Sequence, residues 1–170
     1  MKNNMLISVF PDDERMFCDS NILTYAFVGT DESKTVCYDL LNRCADQKIK
    51  LYTSPIQASN TIHRAMTNEL VSELGIEPRK ATNYLKQHPE TIKQLRWYKT
   101  IPGQLSQARI QMLDVTYREI HNSKQYRDNY GLMTGDSLIV ALMRRHNIRH
   151  LASNDEDFKC IPQIRLWRPD

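Results

Sequence analysis

The stretch GLMTGDSLIVALMRRHNIRHLASNDEDF, residues 131–158, contains the pattern that decides the fold class. Thr134 is a hydroxyl residue of the kind that caps helices, and it predicts a helix that begins at Gly135-Asp136. The body of that helix, Leu138–Met143, is apolar on nearly every face, so we expect it to lie deep in the protein. Residues 148–153 then predict a strand. The stretch therefore predicts a buried helix followed by a strand.

A similar alternation of strands and helices is predicted before this stretch. Residues 16–18 are a short apolar run that predicts a buried strand, and the polar residues 19–21 after it predict a loop. Residues 31–47 carry apolar side chains on one helical face behind Asp31, which we expect to be the N-cap. Residues 49–53 predict a second strand. The first half of the chain thus also reads as strand, helix and strand.

The middle of the chain is predicted to be mostly helical. Ser54-Pro55 is a strong helix start, because a hydroxyl cap is followed by proline at the first helical position, and we expect this helix to continue to about Leu74. Two short helices are predicted to begin at Pro78 and Pro89, and a third strand at Trp97–Ile101. A long amphipathic helix is predicted from Leu105 to about Tyr126, and the last strand at Ile164–Trp167.

Strands that alternate with helices predict a mainly parallel sheet covered on both faces, because crossover connections between parallel strands place helices there. We expect a single domain over residues 16–170, preceded by an extension at residues 1–15. Residues of about 70–130 are a helical insertion, which we expect to form a clamp or a dimer surface beside the functional groove. In sheets of this kind, functional residues gather beyond the carboxyl ends of the strands.

Composition excludes several classes of protein. The 170 residues are 41% hydrophobic and 25% charged, which is typical of a folded domain and excludes a disordered chain. The longest apolar run, Leu138–Met143, is far shorter than the ~20 residues of a membrane span, and the first 15 residues carry no convincing signal peptide. We therefore expect a soluble, cytoplasmic protein with no membrane partner. Metal-like spacing is lacking among the cysteines, which we expect to be buried, reduced thiols: Cys18, Cys37, Cys44 and Cys160.

Three aspartates follow or open elements at the predicted functional edge of the sheet. Asp19 comes after the first strand, Asp136 opens the buried helix, and Asp155 follows the fourth strand. Carboxylates held within a few ångströms of one another repel unless a cation neutralises them. Mg²⁺ and Mn²⁺ prefer such oxygen ligands, and an ion held in this way can contact a phosphodiester and activate water. The pattern predicts metal-assisted phosphodiester hydrolysis, and the net charge of +3 permits a polyanionic substrate.

Four segments resemble the PIN domain family. They are MFCDSNILTYAF (16–27), YTSPIQASNTIHRAM (52–66), the quoted stretch 131–158, and IPQIRLW (161–167). The resemblance implies a Rossmann-like α/β sheet of about five parallel strands in the order 3-2-1-4-5. It also implies a Mg²⁺- or Mn²⁺-dependent ribonuclease. Many relatives are VapC-type toxins that are commonly dimeric and are silenced by an antitoxin protein, so the resemblance implies an RNA substrate, an antitoxin partner and a homodimer.

Carried over to this chain, the resemblance assigns the catalytic, metal-binding positions to Asp19, Asp136 and Asp155. Ser153 matches a hydroxyl residue that supports the site, and Asn21 a structural polar position beside it.

One position departs from the family pattern. The family usually has glutamate six residues beyond the serine that matches Ser54, and this chain has Asn60 there. An amide oxygen can contact a metal ion, but it adds no charge and cannot act as a general base. Asp157 is a candidate for a fourth carboxylate. The alternative to an enzyme is therefore a weak or inactive PIN domain that binds RNA or a protein through the same groove.

Basic residues predict where RNA phosphates bind. Arg64 shares the helical face of Asn60, and Arg144-Arg145 end the buried helix. The competing interpretation of Arg144 and Arg145 is a solvated helix end whose cations complement the helix dipole. A haloacid-dehalogenase-like phosphatase, a further rival, would need a second aspartate where Asn21 stands.

Overall fold

The computed structural model describes residues 5–30 and 32–169. At its centre lies a parallel sheet with the strand order β1-β6-β5-β2-β3-β4. The strands are β1 (Met5–Leu6), β2 (Arg15–Cys18), β3 (Lys50–Thr53), β4 (Gln111–Met112), β5 (His150–Ala152) and β6 (Arg165–Arg168). Without β1, this order is the predicted 3-2-1-4-5, so the α/β prediction is confirmed and the described part of the chain adds one strand to it.

Helices cover both faces of the sheet. They are α1 (Ser20–Val28), α2 (Glu32–Ala45), α3 (Pro55–Leu74), α4 (Pro78–Gln87), α5 (Pro89–Gln94), α6 (Trp97–Gln107), α7 (Tyr117–Tyr130) and α8 (Thr134–Arg145). Met16 and Cys18 of β2 point into the core shared with α1, α2, α3 and α6, whereas Phe17 points into the core shared with α7 and α8. The short apolar strand is therefore buried on both faces, as parallel sheets require.

The register of the central strands places the functional residues side by side. Phe17 pairs with Leu151 and Cys18 with Ala152, and the backbone N–H of Asp19 donates to the Ala152 carbonyl at 3.0 Å. Since β2 and β5 are parallel, the chain leaves both strands at the same edge of the sheet. The residues that follow each strand must therefore meet there.

The predicted third strand at Trp97–Ile101 is wrong. These residues form the start of α6, and the edge strand is β4, which pairs with Tyr52 and Thr53. The predicted helix from Leu105 to about Tyr126 is also wrong, because a turn with Arg109 at a φ of 55° ends α6 and leads into β4. Aromatic and β-branched side chains favour strands only weakly, and here packing against α3 decides for a helix.

One predicted loop and one predicted helix start differ from the structure, and another predicted helix start lies outside the described residues. Residues 19–21 do not form a loop, because α1 begins at Ser20 directly after β2 and Asp19 is its N-cap. Helix α8 begins at Thr134 itself, with Met133 as the N-cap. The predicted N-cap Asp31 falls at a residue that the structure does not describe. The starts at Ser54-Pro55, Pro78 and Pro89 are confirmed.

The segment before residue 16 is part of the packed structure where it is described. Met5 and Leu6 pair with Trp167 and Arg168, and the side chains of Ile7 and Phe10 are buried in the core. Phe10 meets Trp167 edge to face, with the ring centroids 4.9 Å apart. Residues 5–6 thus add an edge strand to the sheet, and Ile7 and Phe10 add to its core.

The helical middle segment has a small core of its own. The second half of α3 packs against α4 and α6 around the buried side chains of Leu70, Ala81, Leu85 and Leu95. A role for this segment as a clamp or a dimer surface remains a prediction. In the described part of the chain, no helix combines the length and the apolar character needed to cross a membrane. Cys18, Cys37 and Cys44 are buried, as predicted, whereas Cys160 is exposed.

Candidate metal site

Asp19 lies between β2 and α1, with only 6% of its surface exposed. Its Oδ1 accepts a hydrogen bond from the backbone N–H of Ser20 at 2.6 Å, which caps the helix. Its Oδ2 accepts from the Ser153 hydroxyl at 2.7 Å and from the Asn21 amide at 2.9 Å. The polar residues after the apolar strand therefore orient the Asp19 carboxylate and stabilise its charge, although it is buried.

Ser153 connects the two halves of the site. While its hydroxyl donates to Asp19, the same oxygen accepts from Asn21 Nδ2 and from the backbone N–H of Asp155, each at 3.1 Å. Asn21 Oδ1 in turn accepts from the backbone N–H of Asn154 at 3.2 Å. The predicted supporting residues Asn21 and Ser153 thus contact Asp19 and hold the loop after β5 against α1.

Asp136, Asp155 and Asp157 form a cluster of carboxylates. One oxygen from each lies within 4.8 Å of the others. Asp136 comes from the first turn of α8, whereas Asp155 and Asp157 come from the loop after β5, in which Asp155 Oδ1 accepts from the backbone N–H of Asp157 at 2.9 Å. Asp19 borders this cluster and interacts electrostatically with Asp155 and Asp136. The structure therefore brings together the three predicted catalytic acids and Asp157.

The carboxylates of this acid cluster repel one another. Burial raises the pKa of Asp136 to about 6, and Asp155, Asp19 and Asp157 add to the shift by repulsion. Burial also raises the pKa of Asp19, against the opposing effect of its hydrogen bonds to Ser153 and Ser20. Within residues 5–30 and 32–169, none of the four aspartates forms an ion pair with lysine or arginine. Such a cluster favours a bound cation, and its all-oxygen donor set fits the hard ions Mg²⁺ and Mn²⁺.

Helix α3 forms the wall of the site beside Asp19. Gln57 is buried, and its Oε1 accepts from the backbone N–H of Ser20 at 3.2 Å. Asn60 lies one turn beyond Gln57 on the same face and Arg64 two turns beyond it, and both are exposed. The sequence analysis did not assign Gln57 to the site. Its three-residue spacing from Asn60 was the available signal.

Two predicted RNA-binding residues lie away from the acids. Arg144 and Arg145 are the last residues of α8. Arg145 is nine residues from Asp136, which corresponds to about 13 Å along the helix axis. Arg145 forms an ion pair of 2.9 Å with the buried carboxylate of Glu119. Arg64 shares the α3 face of Gln57, whereas Arg144 and Arg145 lie at the far end of α8 from the acid cluster.

The fold and the acid cluster together define a class of protein. The family described as PIN domain matches residues 16–163, which is most of the chain. The chain belongs to the PIN domain family, as the four sequence segments indicated.

The chain is similar to a named ribonuclease and to solved toxin–antitoxin structures. The chain is 28% identical to Ribonuclease VapC2 of Methanocaldococcus jannaschii over 158 residues. The aligned region covers 91% of this chain and 94% of the relative. It resembles the structure of VapBC2 from Rickettsia felis bound to a DNA fragment from their promoter, with a TM-score of 0.57, 16% identity, and coverage of 92% of this chain and 99% of that one. A toxin–antitoxin complex from Klebsiella pneumoniae has a TM-score of 0.53 at 17% identity over 88% of this chain and 95% of that one. Curated homologues of the chain are thus VapC ribonucleases.

Proposed function

We propose that this protein is a metal-dependent endoribonuclease and the VapC-like toxin of a toxin–antitoxin pair. The observation that carries the proposal is the cluster of Asp136, Asp155 and Asp157 beside Asp19, which no cation of the described chain neutralises. The names of its homologues support RNA as the substrate, and its structural neighbours support an antitoxin partner. The proposal includes a homodimer in the cytoplasm, as the family resemblance implies.

Mg²⁺ or Mn²⁺ would be held by Asp136, Asp155 and Asp157, with Asp19 completing the anionic site. The bound ion supplies positive charge that draws in a phosphodiester and stabilises the charge that develops on its oxygens during hydrolysis. With a pKa of about 6, the Asp136 carboxyl is mostly ionised at neutral pH and is ready to act as a ligand. Ser153, Asn21 and the α1 N-terminus hold Asp19 in a single orientation.

Asp157 offsets the missing glutamate of the family pattern. Asn60 contributes no charge, yet the carboxylate of Asp157 lies within the acid cluster, so four anions remain available. This arrangement favours an active enzyme over the alternative of an inactive module. The exposed amide of Asn60 is the feature that supports the alternative.

Cleavage of single-stranded RNA tests the proposal directly. The wild-type protein is expected to cut RNA in Mn²⁺ and to lose activity in excess EDTA. Asp136→Asn and Asp155→Asn are each expected to lower the rate at least about a hundredfold, because each removes a ligand and a charge. Glu156→Gln is the matched control, since Glu156 lies between Asp155 and Asp157 in sequence but pairs with Lys159 and Arg168.

The two candidate functions predict different results in this assay. A binding module retains RNA by fluorescence polarisation but cuts none of it in Mn²⁺ or Mg²⁺. Cleavage that persists at the wild-type rate in Asp136→Asn and Asp155→Asn would contradict the role of the acid cluster.

A further inference from the structure

A second charged surface lies on the opposite end of α8 from the acid cluster. Two adjoining cavities of about 520 and 260 Å³ share Tyr126 and Arg144. The larger cavity lies between α7 and α8 and the smaller one between α8 and the region before β6. Four guanidinium groups line the two cavities together: Arg118, Arg144, Arg145 and Arg149. We call this the arginine surface.

The positive charge of the arginine surface exceeds its negative charge. Of the residues that line the two cavities, Glu119 alone carries a carboxylate, and that carboxylate is held by Arg145 and by Thr116. Within residues 5–30 and 32–169, the other three guanidinium groups have no acidic partner, and Arg144 contacts only the Tyr126 hydroxyl, at 3.4 Å. Four arginines against one glutamate leave a surplus of three charges, as large as the net charge of the whole chain.

We infer that the arginine surface binds backbone phosphates of the RNA substrate, at a distance from the cleavage site. Guanidinium groups that lack an acidic partner repel one another, and a phosphate accepts from them in a bidentate manner. Two cavities in a row fit successive phosphates of one strand rather than a single small anion. The amides of Asn122, Gln125, Asn147 and Gln163 line the same cavities and offer hydrogen bonds to sugars.

The position of the arginine surface sets the kind of RNA that reaches it. Arg145 and Asp136 are about 13 Å apart along α8, so a dinucleotide bound at the acid cluster ends before the arginines. A longer or structured RNA extends to both. This inference rests on the proposed ribonuclease function and adds to it a preference for extended substrates.

RNA binding by the full-length protein in EDTA tests the arginine surface without cleavage. The probe is a fluorescent hairpin with a stem of about 16 base pairs. Arg118→Ala/Arg149→Ala is expected to weaken binding about tenfold and to lower the slope of log affinity against log salt by about 1.5, because two phosphate contacts are lost. Both side chains are exposed and unpaired with acids, so the fold should be unaffected. Arg79→Ala, at an exposed arginine of α4, is the control and should bind as the wild type does.

Separate results distinguish failure of this inference from failure of the proposed function. Equal affinity and equal salt slope for Arg118→Ala/Arg149→Ala and the wild type would overturn the arginine surface. Binding of a DNA hairpin as tightly as RNA through the same two arginines would overturn its assignment to the RNA substrate. Cleavage by the wild type of an RNA dinucleotide in Mn²⁺ depends on the acid cluster alone and reports on the proposed function.

Discussion

At the scale of single residues, Asp19 and Asp136 differ in the hydrogen bonds that their carboxylates accept. The Asp19 carboxylate accepts hydrogen bonds from the Ser20 backbone and from the side chains of Asn21 and Ser153, which offset part of the cost of its burial. In the described part of the chain, no hydrogen-bond donor contacts the Asp136 carboxylate, so burial and repulsion raise its pKa to about 6. Hydrogen bonds therefore orient the Asp19 carboxylate, whereas no donor of the described residues offsets the charge of Asp136.

Asp136→Asn is expected to stabilise the metal-free protein at pH 7. The pKa of the Asp136 carboxyl is higher in the folded protein than in the unfolded chain, so its ionisation lowers the free energy of unfolding. This cost is complete above about pH 6 and absent below about pH 3.8. A shift of about two pKa units corresponds to about 3 kcal/mol, which solvent screening at this half-buried group reduces to about 1 kcal/mol.

Urea unfolding in EDTA at pH 7 and at pH 3.5 measures this effect. The free energies of unfolding of Asp136→Asn and wild type should differ at pH 7 and converge at pH 3.5. Asp39→Asn, the same change at an exposed position of α2, should behave as the wild type at both values. A variant that is less stable than the wild type at pH 7 would contradict the repulsion argument.

Asn60→Glu is expected to raise the affinity for Mn²⁺ about tenfold, because it adds an anion on the α3 face that carries Gln57 to the site. Isothermal titration calorimetry measures the change. Ser59→Glu is the matched control: it adds the same charge to the same helix at an exposed position turned by about 100°. Equal dissociation constants for the two variants would show that residue 60 does not face the metal site.

At the scale of elements, a buried glutamate determines where α6 begins. Both carboxylate oxygens of Glu69 accept from the backbone N–H of Arg96, at 2.7 and 2.9 Å, and one of them also accepts from the N–H of Trp97 at 2.8 Å. Glu69 is fully buried, so its charge is stabilised by the N-terminus of α6 rather than by water. This contact is invisible in the local sequence, where Trp97 and Tyr98 favour a strand. It also excludes Glu69 from the metal site.

Glu69→Ala is expected to lower the free energy of unfolding by about 2–3 kcal/mol, because it leaves buried N–H groups without an acceptor. Glu73→Ala, an exposed glutamate one turn further along α3, should change stability by less than about 0.5 kcal/mol. Urea unfolding measures both. Faster hydrogen exchange in α6 than in α8 should accompany the loss, and unchanged exchange in α6 would contradict the capping role.

At the scale of the whole molecule, two opposite charge clusters occupy the two ends of α8. The acid cluster meets the first turn of the helix, and the arginine surface surrounds its last turn. The dipole of α8 complements this arrangement, since a helix stabilises anions at its N-terminus and cations at its C-terminus. The surplus of arginines on the arginine surface therefore lies away from the acid cluster.

The packing of residues 5–10 is also a property of the whole molecule. Phe10→Ala is expected to destabilise the protein by about 3 kcal/mol, because the ring is buried against Trp167 and His150, from the opposite end of the chain. Val9→Ala, at a side chain that is 70% exposed, is the control and should be nearly neutral. Thermal or urea unfolding distinguishes the two. A neutral Phe10→Ala would indicate that residues 5–10 contribute little to the fold.

Local patterns were sufficient for much of the fold and of the candidate site. The helix start at Ser54-Pro55 depends on a hydroxyl cap and on the fixed φ of proline, and the start at Pro78 depends on proline; both act within a few residues. The parallel sheet order followed from alternation and from the family resemblance. Because parallel strands end at one edge, the convergence of Asp19, Asp136 and Asp155 could also be expected.

Charged positions and buried segments could be predicted from residue types and their periodicity, since both are local properties of the chain. Three-dimensional packing places Asp157 in the acid cluster, brings Gln57 to α1, and makes β1 and β4 the edge strands of the sheet. These features depend on distances between residues far apart in sequence. Such distances are set by packing of the whole core, which no short window of sequence contains.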